Sequence, residues 1–459
     1  MSSLHRRIFT SIKGQKSPGF RRVTETQFFH AVASQRRRHN EITKLKDSSR
    51  NFYSKQTDLG RIAVDYFQEM FTSVSTGSYS QVIHHVHEVV TPEMNNMLLE
   101  EFTQDEVKKA LFQMNPTKAP GPDGMNPLFF KKYWHFVGTD VSEAVLDCIN
   151  SGKFLQNINF THITLIPKKK NLELMSHFRP ISLCNVIFKL VSKVLANRLK
   201  RILGRIIFDC QNAFVAKRVI TDTIRISFEI LHYMKSKRQG NIAHMALKLD
   251  ISKAYDRMEW DYLKGLMLKM GFHQRWVDLI MAGILSASYF VLVNGVPLGF
   301  IKSSRGIRQG DLLSPYIFLL CSESFSALLK NAVQQRLLHG VSISHNGPQI
   351  THLLFVDDSL LFCKASTSEC HIIKEILQIY EVASSQKTNC EKGSIFFNTN
   401  TPLSTRNEIR MLLNTSSTEP FEKYLDLPPI IGRGKKQAFV EIKLRIQSKL
   451  SGWKTKLLS

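Results

Sequence analysis

Two adjacent aspartates, Asp357 and Asp358, interrupt a strongly apolar stretch, THLLFVDDSLLF (351–362). The flanks LLFV and LLF predict two short buried strands joined by a tight turn, which puts both carboxylates at the tip of a β-hairpin. Aspartate is also an ordinary turn residue, so the pair alone has a purely structural explanation. However, two anions beside a buried sheet repel each other and lose hydration, which is costly unless a cation compensates. Magnesium is the natural candidate because it binds carboxylate and phosphate oxygens.

A further carboxylate for such a site occurs in AHMALKLDISKAYDRMEW (243–260). HMALKLDI predicts a strand with Asp250 near its end, and a turn and a helix follow. By itself Asp250 has a structural explanation as a helix-entry residue. Since 107 residues separate Asp250 from Asp357, the two can meet only as non-adjacent pieces of one sheet.

The charge balance indicates a polyanionic partner. Lysine and arginine number 62 against 38 aspartates and glutamates, a formal net charge of +24. The excess is concentrated in residues 1–50, 161–218 and 431–459, which suits a long strand or duplex better than a compact anion. Nucleic acid is the simplest such partner, and a merely soluble basic protein is the alternative. No apolar run approaches the roughly 20 residues that span a bilayer, so we expect no membrane association.

Local patterns predict further elements. HITLIPKK (162–169) has the composition of a strand that ends at Pro167. FRPISL leads into a helix from Asn185 to about Leu203, whose apolar residues recur at the 3–4 step of one buried face. SSRGIRQGDLLSPYIFLL (303–320) predicts a loop followed by a helix capped at Ser314.

Three of these segments resemble, in this order, the polymerase motifs of reverse transcriptases: LDISKAYDRMEW, GIRQGDLLSP and LLFVDDSLLF. The likeness is closest to plant LINE-type (non-long-terminal-repeat) retrotransposons. It extends over most of the chain, through FFHAVASQRRRHN, KAPGPDG, LIPK with FRPISL, QNAFVAKR, QKTNCEKGSIFF and YLDLPPIIGR. Each motif is modest, but this many in register are highly specific.

The resemblance implies an α+β right-hand polymerase fold, with an antiparallel palm sheet backed by helices. We expect a basic helical N-terminal region (1–100), fingers and the start of the core (101–240), a palm with the catalytic motifs (241–400), and a primer-grip region with the start of a truncated thumb (401–459). The implied activity is RNA-directed DNA synthesis, in which the 3′-hydroxyl of a DNA primer on an RNA template is extended with dNTPs. The implied partners are therefore the RNA/DNA hybrid and dNTPs.

The resemblance also implies a metal site. Asp250, Asp357 and Asp358 match the catalytic carboxylates, which bind two Mg²⁺ ions, with Mn²⁺ as a possible substitute. The backbone carbonyl of Ile251 matches a further metal ligand. Lys392 is similar to the lysine that can protonate pyrophosphate.

Five residues match the substrate-binding positions of the family. Lys168 and Arg179 match the residues that contact the triphosphate. Tyr255 matches the aromatic steric gate, whose ring collides with a 2′-hydroxyl and so favours deoxynucleotides. Gln309 and Gly310 match the loop that supports the nascent base pair.

Some positions depart from the family pattern. Val356 stands where alanine is usual, and Leu312 stands where proline is usual. Ala216 and Lys217 replace a Pro–Gly turn, and Asp426 replaces a glycine near the primer grip. None of these changes removes an expected metal ligand.

The family's endonuclease domain normally precedes the region where this chain begins, so the resemblance implies a partial chain without it. It also implies nuclear residence, with mitochondrial or cytoplasmic residence as alternatives. Two rival functions stay open. One is a catalytically inactive nucleic-acid-binding relic, and the other is an intron-maturase-like RNA-binding protein that shares the polymerase core.

Overall fold

The computed structural model describes residues 41–73, 79–155, 158–169, 171–237, 242–344, 347–356, 358–388 and 393–415, together with Ser34, Gln35, Arg38, Asn40, Gly240, Tyr424, Leu425 and a few residues after 439. Asp357, Lys392 and Asp426 lie outside the described residues. Within the described part of the chain, no helix is both long and apolar enough to cross a membrane.

Among the described residues, six helices follow one another between the second and third strands, and helices and strands are interspersed after them. The helices are α1 (Gln56–Phe71), α2 (Ser80–His84), α3 (Pro92–Leu99), α4 (Gln104–Gln113), α5 (Pro127–Lys132), α6 (Trp134–Ser151), α7 (Val186–Ile206), α8 (Ile220–Ser236), α9 (Trp260–Lys269), α10 (Gln274–Leu285), α11 (Ser314–Gln334), α12 (Thr367–Ser384) and α13 (Leu403–Leu412). The strands are β1 (Leu45–Lys46), β2 (Phe52–Tyr53), β3 (Phe160–Pro167), β4 (Phe178–Cys184), β5 (His244–Ser252), β6 (Ser288–Val293), β7 (Val296–Lys302), β8 (His352–Phe355), β9 (Asp358–Lys364), β10 (Lys387–Thr388) and β11 (Ser394–Phe397). The predicted strand ending at Pro167 and the predicted helix after Asn185 are confirmed as β3 and α7.

One compact unit contains residues 1–206, 253–324 and 382–386. Its four-stranded sheet has the order β4-β3-β6-β7, in which β3 runs antiparallel to β4 but parallel to β6. The alternation of β3 buries Ile163 and Leu165 on one face, where α1 packs with Phe67. Burial of each such side chain contributes about 1.5–3 kcal/mol.

The second unit contains residues 207–252, 325–381 and 387–459. Its sheet has the order β10-β5-β9-β8, β11 also pairs with β5, and every pairing is antiparallel. Ile230 and Met234 of α8 join a buried cluster with Ala246, Leu360 and Phe362 of this sheet. The expected antiparallel sheet backed by a helix is therefore present in this unit. Because each unit combines separate stretches of chain, the four consecutive ranges expected above stay a prediction.

Lys217 has a left-handed backbone with φ of +67°, at one of the two positions where a Pro–Gly turn was expected. Lys217→Gly should raise the free energy of unfolding by about 0.5–1 kcal/mol, because glycine adopts this conformation without steric cost. Urea unfolding measures the change. Ala216→Gly, at a neighbour whose φ is not positive, is the matched control and should lower stability instead. Equal losses in both variants would contradict the prediction.

Candidate active site

Asp250 and Asp358 lie directly opposite each other on the neighbouring antiparallel strands β5 and β9. Directly opposed residues of antiparallel strands have Cβ atoms about 4.5–5.5 Å apart, and like charges in that arrangement are destabilising. Both residues are half-buried at the ends of apolar runs. The fold therefore holds two carboxylates together against their mutual repulsion.

The β8–β9 hairpin turns at Val356, which has a φ of +57°. Asp358 is the first residue of β9, where it pairs with Phe355 across the hairpin and with Asp250 on the other side. The sequence expectation of a hairpin is confirmed, but Asp358 belongs to a strand and not to the turn. The reason is that Asp358 has a partner on each neighbouring strand.

The surroundings of this pair fit a hard divalent cation. Asp250 and Asp358 supply carboxylate oxygens from facing strands, and a cation would remove their repulsion. Ile251, the expected carbonyl ligand, is buried next to Asp250 and pairs with Thr388. Among the described residues no three His, Cys, Asp or Glu side chains form a metal-binding group. The third predicted carboxylate, Asp357, lies outside them.

Tyr424 is a neighbour of Asp358 that the sequence did not single out as a site residue. It is buried in the core of the second unit. Burial raises the pKa of its phenol well above the ordinary value, and the negative charge of Asp358 raises it further. Tyr424 could have been found from its position at the start of the motif YLDLPPIIGR. In that motif the sequence analysis had singled out only Asp426.

In the first unit, Lys168 and Arg179 lie at the end of the β3–β4 hairpin where the loop joins the two strands. Arg179 pairs with Ile166 across the ladder, and the backbone amide of Lys168 donates to the His177 carbonyl at 2.9 Å. The ammonium of Lys168 donates to the Ser176 carbonyl at 3.3 Å. Both side chains are exposed, so the hairpin presents two cations to an anionic ligand.

The loop with Gln309 and Gly310 packs against β4. The amide of Ser182 donates to the Gln309 carbonyl at 2.8 Å. Gly310 has a φ of +111°, and a Cβ there would lie 3.3 Å from the Ser182 carbonyl oxygen and 3.4 Å from Cγ2 of Ile181. Only glycine fits this backbone and this close approach without strain. The structure thus brings Gln309 and Gly310 onto the strand that carries Arg179.

Arg308 anchors the same loop from inside. Its guanidinium is buried, lies 4.3 Å from the centroid of the Phe188 ring, and donates to the Asn159 carbonyl at 3.0 Å. Asp311 accepts from the Leu312 amide at 2.6 Å. Burial raises the pKa of the Asp311 carboxyl, although Arg308 opposes the rise. The amide of Leu312 makes a bond that the usual proline lacks.

Tyr255 is half-buried in the first unit, and its ring is stacked on Phe318 with centroids 5.2 Å apart and planes at 15°. Its carbonyl accepts from the Ile307 amide at 2.8 Å. The ring and the backbone of Tyr255 are therefore both held in place.

Asp256 is buried one residue after Tyr255. Burial raises the pKa of its carboxyl from 3.8 to about 6, although the charge of Lys253, with its Nζ 4.0 Å away, lowers it. The folded protein therefore binds this proton more tightly than the unfolded chain does. Stability from this group is complete below about pH 4 and is lost as the pH rises through about 6.

The expected loss for Asp256 between these pH values is about 2–3 kcal/mol. Asp256→Asn cannot ionise, so its stability relative to the wild type should rise from about pH 4.5 to about pH 7.5. Urea unfolding of both proteins at the two pH values measures this difference. Parallel pH profiles of the two proteins would contradict the assignment.

Residues 166–414, more than half of the chain, match the family model described as reverse transcriptase (RNA-dependent DNA polymerase). All the site residues predicted from the sequence, in the first unit and in the second, lie within this matched region. The fold and the carboxylate pair thus define a fingers-and-palm polymerase core, and the chain belongs to the reverse transcriptase family.

Three curated proteins are similar to parts of this chain. The 149 kDa protein of transposon TX1 from Xenopus laevis is 27% identical over 383 residues, covering 80% of this chain and 28% of that protein. The Pol polyprotein of the type-2 retrotransposable element R2DM of Drosophila melanogaster is 25% identical over 307 residues, covering 66% and 26%. An uncharacterized mitochondrial protein of Arabidopsis thaliana is 47% identical over 77 residues, covering 17% and 63%. Two of these relatives are proteins of transposable elements, and the chain spans about a quarter of the length of those two proteins.

Proposed function

We propose that this chain catalyses RNA-directed DNA synthesis, extending the 3′-hydroxyl of a DNA primer with dNTPs on an RNA template. The observation that carries the proposal is the cross-strand pair of Asp250 and Asp358 inside the matched family region. The basic balance of the chain supports a nucleic-acid duplex as the partner.

Two divalent cations, Mg²⁺ or Mn²⁺, are the proposed cofactor. When bound, they would lower the pKa of the primer 3′-hydroxyl and stabilise the charge on the leaving pyrophosphate. Asp250, Asp357 and Asp358 would hold them, together with the carbonyl of Ile251. Lys392 would give a proton to the pyrophosphate.

The remaining roles concern the incoming nucleotide. The exposed cations of Lys168 and Arg179 would bind its triphosphate. The ring of Tyr255 would exclude a 2′-hydroxyl from the sugar site. The backbone at Gln309 and Gly310 would support the new base pair, and the absence of a side chain at Gly310 would allow a close approach.

The decisive test is extension of a labelled DNA primer on an RNA template with Mg²⁺. The wild type is compared with an Asp357→Asn, Asp358→Asn double variant. Extension by the wild type alone supports a working polymerase that uses these carboxylates. If neither protein extends the primer while both bind it, the chain is a nucleic-acid-binding relic and the proposal is wrong.

Tyr255→Ala should raise incorporation of ribonucleotides relative to deoxynucleotides by about 10-fold or more, because the variant has no ring to collide with the 2′-hydroxyl. Phe318→Leu, which removes only the stacking partner of the ring, should give a smaller increase. Single-nucleotide insertion with each substrate measures the ratio. An unchanged ratio in Tyr255→Ala would remove this residue from the sugar site.

We also propose that the chain comes from a plant LINE-type element. The identity of 47% with the Arabidopsis thaliana protein supports this source. Hybridisation of plant genomic DNA with the coding sequence should reveal dispersed copies. Their absence from plant DNA would contradict the proposal.

Nuclear residence is proposed because a retrotransposon enzyme copies its RNA into chromosomal DNA. The alternative is a mitochondrial location, which the name of the Arabidopsis thaliana relative gives for that protein. Imaging of a fluorescent fusion against nuclear and mitochondrial markers distinguishes the two.

A further inference from the structure

The loop Ile207–Arg218, which contains the motif QNAFVAKR, lies along the outer edge of β8 in the second unit. The Leu354 amide donates to the Cys210 carbonyl at 2.8 Å, and the Asn212 amide donates to the Leu354 carbonyl at 3.3 Å. Gln211 and Leu354 thereby form a parallel bridge. Since β8 is the last strand of its sheet, the loop supplies hydrogen bonds to an otherwise open edge.

The side chain of Gln211 continues from this bridge to the turn of the hairpin. It is fully buried. Its Oε1 accepts from the Ala213 amide at 3.0 Å and from the Val356 amide at 3.4 Å. Among the described residues its Nε2 has no hydrogen-bond partner. One buried carboxamide oxygen therefore joins the loop to the residue that precedes Asp357.

Val356 has a backbone conformation that needs such support. Its φ of +57° lies in a region that L-amino acids rarely adopt and that β-branched residues adopt least of all. A strained conformation of this kind persists only when surrounding contacts over-determine it. The Gln211 bond is a contact of that kind.

Arg218 in turn fixes the loop. Its guanidinium donates to the carbonyls of Ile207 at 2.9 Å, Phe208 at 2.6 Å and Gln211 at 2.8 Å. These bonds hold together the backbone segments that precede and follow Cys210. The loop between α7 and α8 is therefore held by side-chain hydrogen bonds within itself and by backbone hydrogen bonds to β8.

We propose that Gln211 is a positioning residue for the carboxylate hairpin: its buried carboxamide oxygen holds Val356 in the left-handed conformation and so sets the direction of the chain into Asp357 and Asp358. This role deepens the proposed function and rests on it where metal binding is concerned. A residue that orients metal ligands in this way commonly changes metal affinity by 10–100-fold when it is lost.

The first test needs neither catalysis nor metal. The Val356 amide of the wild type should exchange with deuterium at least about 100-fold more slowly than an unprotected amide. Gln211→Met keeps the length of the side chain but cannot accept the bond, so exchange in peptides covering residues 352–356 should become faster. A fast-exchanging Val356 amide in the wild type would overturn the proposal even if the variant failed to fold.

The second test measures Mn²⁺ binding by calorimetry and the Mn²⁺ concentration that gives half-maximal primer extension. Gln211→Met should weaken both by about tenfold. Thr223→Val is the matched control, because it removes the bond that Asn212 Nδ2 donates to Thr223 Oγ1 at 2.7 Å and leaves both acceptor bonds of Gln211 Oε1 in place. It should lower the melting temperature but leave Mn²⁺ affinity within about twofold.

A second-site variant separates positioning from general damage. Glycine adopts a positive φ without support, so adding Val356→Gly to Gln211→Met should shrink the tenfold loss to about threefold or less. An undiminished loss in the double variant, or unchanged exchange and affinity in Gln211→Met, would overturn the inference. A wild type that neither binds Mn²⁺ nor extends a primer refutes the proposed function instead, and the exchange measurement still decides the role of Gln211.

Discussion

Asp250→Asn is expected to lower primer extension by about 10³-fold or more while making the metal-free protein more stable. The loss follows because a carboxamide is a poor ligand for a hard cation. The gain in stability follows because Asp250 faces Asp358 directly across β5 and β9. Removal of one charge from such a like-charged pair stabilises the folded protein by about 0.2–1 kcal/mol.

Primer extension with Mg²⁺ measures the effect on activity. Urea unfolding of the same preparation without divalent metal measures the effect on stability. Asp278→Asn, which changes an exposed aspartate on α10, is the control and should leave extension unchanged. Adding Mn²⁺ should reverse the stability order, since only the wild type binds it tightly. A variant that loses both activity and stability would identify Asp250 as a structural residue and not as a ligand.

The second large effect is expected at Arg198, whose guanidinium is 1% exposed. It donates to both carboxylate oxygens of Glu106 at 2.9 and 2.7 Å, and to the carbonyls of Leu98, Glu100 and Glu101. These carbonyls lie at the end of α3 and in the turn before α4. Arg198→Met should destabilise the protein by about 3–5 kcal/mol, because it removes two hydrogen bonds from Glu106 and leaves the three carbonyls without the Arg198 donor.

Arg201 provides the matched control for Arg198 because it lies one turn further along α7. It pairs with Glu100 at 3.2 Å and with Glu106 at 3.8 Å but is 45% exposed. Arg201→Met should therefore cost only about 0–1 kcal/mol, since solvent screens an exposed pair. Chemical unfolding measures both variants, and equal costs would contradict the role given to Arg198.

The Arg198 effect should also depend on pH. Burial alone would raise the pKa of Glu106, but the hydrogen bonds from Arg198 and Thr103 outweigh burial and lower it below the ordinary value of 4.5. The contribution of a lowered carboxyl pKa is present above the unfolded value and is lost as the pH falls through the folded one. The difference between the wild type and Arg198→Met should therefore shrink in acid.

Local patterns were sufficient to predict several elements of the fold. The period of the apolar residues after Asn185 predicted α7, and HMALKLDI predicted β5 with Asp250 near its end. The apolar flanks of Asp357 predicted a hairpin. Each of these signals depends only on residues close together in the chain, where spacing determines which face is buried.

Local patterns could not predict the strand register that brings the site residues together. Asp250 and Asp358 are paired through two strands that are far apart in the chain, and a shift of one residue would turn either side chain to the other face. Valine favours extended backbone, so the positive φ of Val356 has no local signal. Its support comes from Gln211, 145 residues away, and tertiary contacts of that range leave no periodic pattern in the sequence.

The topology of β5 has a consequence for how the protein is made. β9, β10 and β11, which all pair with β5, follow it by more than 100 residues. A ribosome that adds about 5–20 residues per second needs about 5–20 s to pass from Asp250 to Asp358. Throughout that interval a nine-residue apolar strand has no partner on either edge and is open to pairing with other nascent chains. The yield of folded protein in a host cell should therefore depend on chaperone supply and on slow, cool expression.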